Sequence, residues 1–73
     1  MAEIKYEILE QYGHISESAK GWKKELNLIS WNERSAKYDL REWDPDHQKM
    51  GKGLTLSKEE LKTLKELLNK MEL

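Results

Sequence analysis

The sequence predicts an α+β fold: a four-stranded, curved antiparallel sheet followed by one C-terminal helix. Three observations predict it. Apolar and polar residues alternate at Ile4, Tyr6 and Ile8, and again from Trp22 to Trp31 and from Lys37 to Trp43, which is the period of half-buried strands. Turn-type clusters separate these runs. After Ser57 the apolar spacing changes to three and four, which is the period of a helix.

The first strand is expected over about residues 3–16, with Gly13 marking a bulge. "ESAKG" is a turn into the second strand, about residues 21–31. There Leu26 and Leu28 share a face with Trp22 and Lys24, while Lys23, Asn27, Ile29 and Trp31 share the other. "NERS" turns into the third strand, about 36–43. Its Tyr38 and Leu40 face one way, and Lys37, Asp39, Arg41 and Trp43 face the other. The loop "DPDHQKMGKG" leads to a short strand, about 52–56, and then to a helix over about 58–71. Ser57 and Glu60 have the spacing of a capping box, and Leu61, Leu64, Leu67, Leu68 and Met71 form one apolar stripe. One helix covers one face of the sheet. The face holding Trp31, Lys37, Arg41 and Trp43 is left for solvent or a ligand.

Seventy-three residues make a single small domain over 1–73, with too little core to be strongly stable alone. There is no cysteine to form a disulfide or a thiolate metal site, so association is the remaining source of stability. The leucine stripe, through Leu61, Leu64, Leu68 and Met71, is the expected homodimer seam. The N-terminus carries charges at Glu3, Lys5, Glu7 and Glu10, unlike a signal peptide, and no apolar run could span a bilayer. The chain reads as cytoplasmic, and as nucleoid-associated if bacterial, with no membrane partner.

The net charge of −1 is unevenly spread. Residues 1–19 balance to −3, residues 20–52 to +2 and residues 53–73 to zero. An anion-binding surface therefore belongs in the middle third. Tryptophans are ordinarily buried. Trp31 and Trp43, however, fall on the polar parity of their strands, beside Lys23, Asn27, Lys37 and Arg41. Exposed aromatics among cations suit unpaired bases, which stack while the cations neutralise phosphate. Lys49 and Lys52 flank Gly51 in a loop whose small residues let phosphate approach the backbone. Trp22 has the parity of the leucines, which favours the core over a contact, and Lys24 shares that parity. His47 lies near Asp44 and Asp46, a pattern typical of turn chemistry rather than of a metal site. No nucleophile–base pair, phosphate loop or paired-carboxylate spacing points to an enzyme, a cofactor or a small-molecule substrate.

"KYDLREWDPDHQKMGKGLTLS" resembles the signature of the single-stranded-DNA-binding coactivator family known as positive cofactor four, and is most similar to short bacterial members of the YdbC type. "GWKKELNLISWN" fits the preceding strand, and the similarity covers about residues 20–70. The resemblance implies a symmetric homodimer joined through the helices, binding single-stranded DNA with little sequence preference. It places Trp31 and Trp43 as stacking aromatics, Arg41 and Lys52 as phosphate contacts, and Lys23, Lys24 and Lys37 as further cations. "REW" is one residue shorter than in eukaryotic members, whose serine- and lysine-rich regulatory arm has no counterpart here. The expected activity is thus single-strand binding in transcription, replication or repair. RNA binding on the same platform, or docking of a protein on the tryptophans, are the alternatives.

Overall fold

A computed structural model describes residues 5–73. Four strands, β1 (Tyr6–Glu17), β2 (Lys23–Trp31), β3 (Lys37–Trp43) and β4 (Met50–Leu56), form one antiparallel sheet in sequence order. Helix α1 (Lys58–Lys70) follows. This is the expected α+β architecture. Residues 3 and 4, placed in the first strand by the alternation, lie outside the described residues.

Each strand follows from its local sequence. The ladders put Ile29 opposite Ile8 and Lys37, and Leu26 opposite Leu40, so the parity read along each strand is preserved across the sheet. Gly13 sits at one of three register shifts in β1, with φ +144, a conformation that favours glycine. β4 begins at Met50, within the stretch whose glycines read as loop, because Met50 pairs with Trp43. Gly53 makes that ladder possible: a Cβ there would overlap the Cβ of Arg41 and the carbonyl oxygen of Leu40. At the helix start, the Ser57 hydroxyl accepts from the Glu60 N–H at 3.1 Å, and the Glu60 carboxylate accepts from the Ser57 N–H at 2.9 Å. The capping box is complete. These bonds to Ser57 hold the Glu60 carboxyl below its ordinary pKa.

The sheet is strongly curled. Trp31 pairs with Tyr6, whereas Trp43 pairs with Lys23, at the other end of β2. In a flat ladder those positions would lie about 26 Å apart. Yet the Tyr6 ring centroid is 5.7 Å from that of Trp31 and 5.6 Å from that of Trp43. The register shifts in β1, and another between Arg41 and Trp43, supply the bending, since a bulge adds local twist. Diagonally opposite corners are thereby folded toward each other.

This curl overturns one expectation. The front face, carrying Trp31, Lys37, Arg41 and Trp43, is not open throughout. Its central residues Ile29, Trp43, Asn27 and Asp39 are the fully buried side chains among the described residues. Trp43, expected on the wet surface, is 0% exposed. Tyr6 covers it from one side, and His47 stacks on it at 4.1 Å with the ring planes 5° apart. Asn27, a candidate contact, is likewise buried. Strand parity assigns a side chain to a face but carries no information about how far that face closes on itself.

The back face is less covered than expected. Leu26, Leu28 and Leu40 are half-buried, and Leu54 is exposed. Helix α1 touches β3 and β4 but has no buried residue, and Leu64, Leu67, Leu68 and Met71 remain exposed. An apolar cleft of about 460 Å³ separates Leu26 and Tyr38 from Leu61, Leu64 and Leu68.

Trp43→Ala is therefore expected to cost about 3–5 kcal/mol of stability, as for a core aromatic. Thermal melting of the variant checks this, with a large fall in Tm as the expected result.

Candidate nucleic-acid interface

The ladders arrange the front face in rows across the sheet. Trp31 lies beside Tyr6, and Lys37 beside Ile29. Asn27, Asp39 and Thr55 share the next row, then Glu25, Arg41 and Gly53, then Lys23, Trp43 and Met50. Of the predicted site residues, Lys23, Asn27, Trp31, Lys37, Arg41 and Trp43 are brought to this face. Lys24, paired with Glu42, is on the back face. Trp22 is half-buried, its ring 3.5 Å from where a Cβ of Gly51 would sit, in the packed setting its parity favoured. Lys49 and Lys52 are exposed near the β3–β4 turn.

Charge on the front face is more balanced than the composition of the middle third suggests. The cations Lys23, Lys37 and Arg41 share the ladder with the carboxylates Glu17, Glu25 and Asp39. Arg41 is not a bare cation. Its Nε and Nη2 donate to the two oxygens of Asp39 at 2.6 and 2.8 Å, a bidentate pair. Asp39 also accepts from the Thr55 hydroxyl at 3.1 Å, which ties β3 to β4. The guanidinium carbon lies 5.0 Å from the Trp31 ring centroid, a cation–π distance, and Nη1 points to the Met50 sulfur at 3.6 Å. Trp31, Asn32, Arg41, Met50 and Thr55 line an open cleft of about 340 Å³. Trp31 is itself half-buried, with Arg41 over its ring and Tyr6 beside it.

A second polar cluster closes the opposite corner. Glu25 Oε1 accepts from Asn27 Nδ2 at 3.1 Å and lies 2.8 Å from His47 Nε2. His47 reaches this position through the Asp44–Lys49 turn, at a left-handed φ of +59. Asp44 organises the turn: its carboxylate accepts from the N–H groups of Gln48 and Lys49 at 2.7 and 3.0 Å. Those bonds, the one from Lys49 foremost, hold the Asp44 carboxyl below its ordinary pKa. Asn27 Oδ1 and the indole nitrogens of Trp31 and Trp43 are buried without a partner.

Sequence reasoning missed Asp39, Glu25 and Tyr6 as parts of this site, and read His47 as turn chemistry alone. Asp39 had a usable signal. It lies two residues before Arg41 on one strand, so the two side chains must share a face. Tyr6 comes from a distant segment, and His47, though close to Trp43 in sequence, reaches its ring only through the fold of the Asp44–Lys49 turn, so neither had one. Among the described residues no cluster of His, Asp or Glu has the arrangement of a metal site, and no helix is long and apolar enough to cross a membrane.

Fold and face together define a class: small sheet-plus-helix proteins with aromatic rings and a guanidinium gathered on the sheet face away from the helix. The chain belongs to the family described as Transcriptional Coactivator p15 (PC4), whose model matches residues 18–67, a family of single-stranded-DNA-binding proteins. The matched span runs from the turn before β2 into the last turns of α1, and so contains all of the site except the residues supplied by β1. The chain is also 52% identical, over 68 residues, to an uncharacterised protein of Treponema pallidum (strain Nichols), covering 93% of this chain and 80% of that one.

The Asp44 carboxylate gives a pH prediction. Its folded pKa is depressed below 3.8, so its contribution is present above that value and is lost as pH falls through the lower, folded one. Below about pH 4 the Asp44–Lys49 turn is expected to loosen and expose Trp43. Indole fluorescence followed through an acid titration should show this change in the wild type, and Asp44→Ala, which removes the acceptor of both N–H bonds, should show it already at neutral pH.

Proposed function

We propose that the protein binds single-stranded DNA across the front face as a homodimer, in transcription, replication or repair. The observation that carries this reading is the open Trp31–Arg41 cleft, on a chain of this family and on a sheet face that also holds the exposed Lys37. An unpaired base has a free face and free edges. In the cleft it meets an indole and a guanidinium, while Lys37, Lys49 and Lys52, all exposed, neutralise the phosphates on either side. Trp43 has no part in this contact, since both of its faces are covered.

Duplex DNA can gain the phosphate contribution alone, because its base faces are already stacked on neighbouring pairs. The described residues also offer no recognition helix, since α1 is capped at Ser57 and lies on the back of the sheet. A single lost stack of about 1–3 kcal/mol corresponds to about a fivefold to hundredfold preference for single strands. Competition of labelled oligo-dT by unlabelled single-stranded DNA, duplex and RNA at two salt concentrations tests this. Single strands should compete best, and affinity should fall steeply with salt. Equal competition by duplex would leave only a generic basic surface, and weak salt dependence would favour a protein-docking role for the aromatics.

Association through the back face is supported by the leucine stripe and the cleft beside it. Leu61, Leu64, Leu68 and Met71 are better covered by a second copy than by their own sheet, which reaches them only at β3 and β4. Leu68→Glu is expected to shift the protein toward monomer in analytical ultracentrifugation at micromolar concentration. A wild-type protein that sediments as a well-folded monomer would refute the dimer.

A further inference from the structure

We propose that His47 and Glu25 form a proton-operated contact on the front face, so that the protein binds single strands more tightly once the imidazole is charged. The proposal rests on the single-strand reading above and adds a pH dependence to it. Three observations carry it. His47 Nε2 lies 2.8 Å from Glu25 Oε1, and both side chains are half-buried rather than sealed from solvent. The imidazole lies flat on Trp43, with the ring centroids 4.1 Å apart. Glu25 is the ladder partner of Arg41, which lines the open cleft. The contact thus joins the shut corner of the face to the open one.

With a neutral imidazole, His47 and Glu25 together carry one negative charge in the row that holds Arg41. That charge repels a phosphate crossing the row. An imidazolium cancels it, and the Trp43 ring favours the cation as well, since a positive charge within about 6 Å of an aromatic face is attracted to it. The two protonation states therefore differ by one charge on the proposed DNA face. Histidine is the side chain whose charge ordinarily changes between about pH 5 and 8. The other charged groups around the pair are Lys23 of β2, Arg41 of β3, Glu17 of β1, and Asp44, Asp46 and Lys49 of the turn. All are residue types that ordinarily titrate outside that range. His14 of β1, opposite Glu25 in the ladder, is the second imidazole and needs its own control. One further phosphate neutralised adds about 0.7 to the salt slope of a single strand, or about fivefold in affinity at about 0.1 M salt.

The test titrates labelled oligo-dT with the full chain at about pH 6 and about pH 8 over a range of salt, reading affinity by fluorescence anisotropy. Affinity should be about fivefold higher at the lower pH, with a salt slope steeper by about 0.7. His47→Gln should flatten this response, and His14→Gln should leave it intact. Glu25→Gln should raise affinity at the higher pH and move the response to lower pH, because the imidazolium loses its carboxylate. In the wild type, the imidazole resonances follow the proton directly. Bound oligo-dT should move the His47 titration to higher pH, since a ligand favours the state that binds it better. That measurement stands even if the variants fold poorly. Equal affinity and equal salt slope at both pH values, with oligo-dT binding well, would overturn the proton contact and leave the single-strand reading intact. A pH response kept by His47→Gln would do the same. Failure of oligo-dT to bind at either pH in low salt would overturn both.

Discussion

The arrangement of the front face depends on one buried charge. A carboxylate taken out of water costs several kcal/mol unless its oxygens are satisfied by a cation and further donors. Asp39 is fully buried and receives both, two N–H groups from Arg41 and one hydroxyl from Thr55. That requirement fixes the guanidinium, and through it the Trp31 ring. It also sets the crossing of β4, where only glycine fits at position 53. Removing one member of such a pair leaves the other buried and unpaired, at a cost of about 3–5 kcal/mol. The cation nearest the proposed ligand is thus first a structural element.

The two faces divide the work in a way the composition alone does not suggest. On the front, the curl shuts one corner, where Trp43 lies between Tyr6 and His47, and leaves the other open at Trp31. On the back, the leucines of the sheet and the helix form an incompletely covered apolar surface. A chain of this size has little stability in reserve. Covering the back face with a second copy would add apolar burial while leaving both front faces free, so folding and association are linked in this reading.

Much of the fold could be read in the sequence because it is written in local chemistry. Alternation gave the strands, Ser57 and Glu60 gave the helix start, and Gly13 marked a bulge. Parity also put Lys23, Arg41 and Trp31 on one face, where the ladders have them, although the rows across the sheet were not legible. What could not be read was distance across the sheet. Whether Trp43 meets solvent depends on Tyr6 and His47, and both reach it only because the sheet curls and the Asp44 turn folds back. The Asp39–Arg41 pair lies between these cases. Its same-face spacing was visible, but the burial that gives it consequence was not.

In the proposed arrangement a single strand lies on the open corner of the front face, at Trp31 and Arg41, while a second copy covers the back face. Nuclear magnetic resonance of the 15N-labelled protein, titrated with oligo-dT, tests this most directly. Large shifts are expected at the Trp31 indole N–H and the Arg41 Nε–H, smaller ones at Lys37 and Lys52, and none along the helix from Leu61 to Leu68. Shifts confined to the helix and the back-face leucines, with Trp31 unmoved, would contradict it.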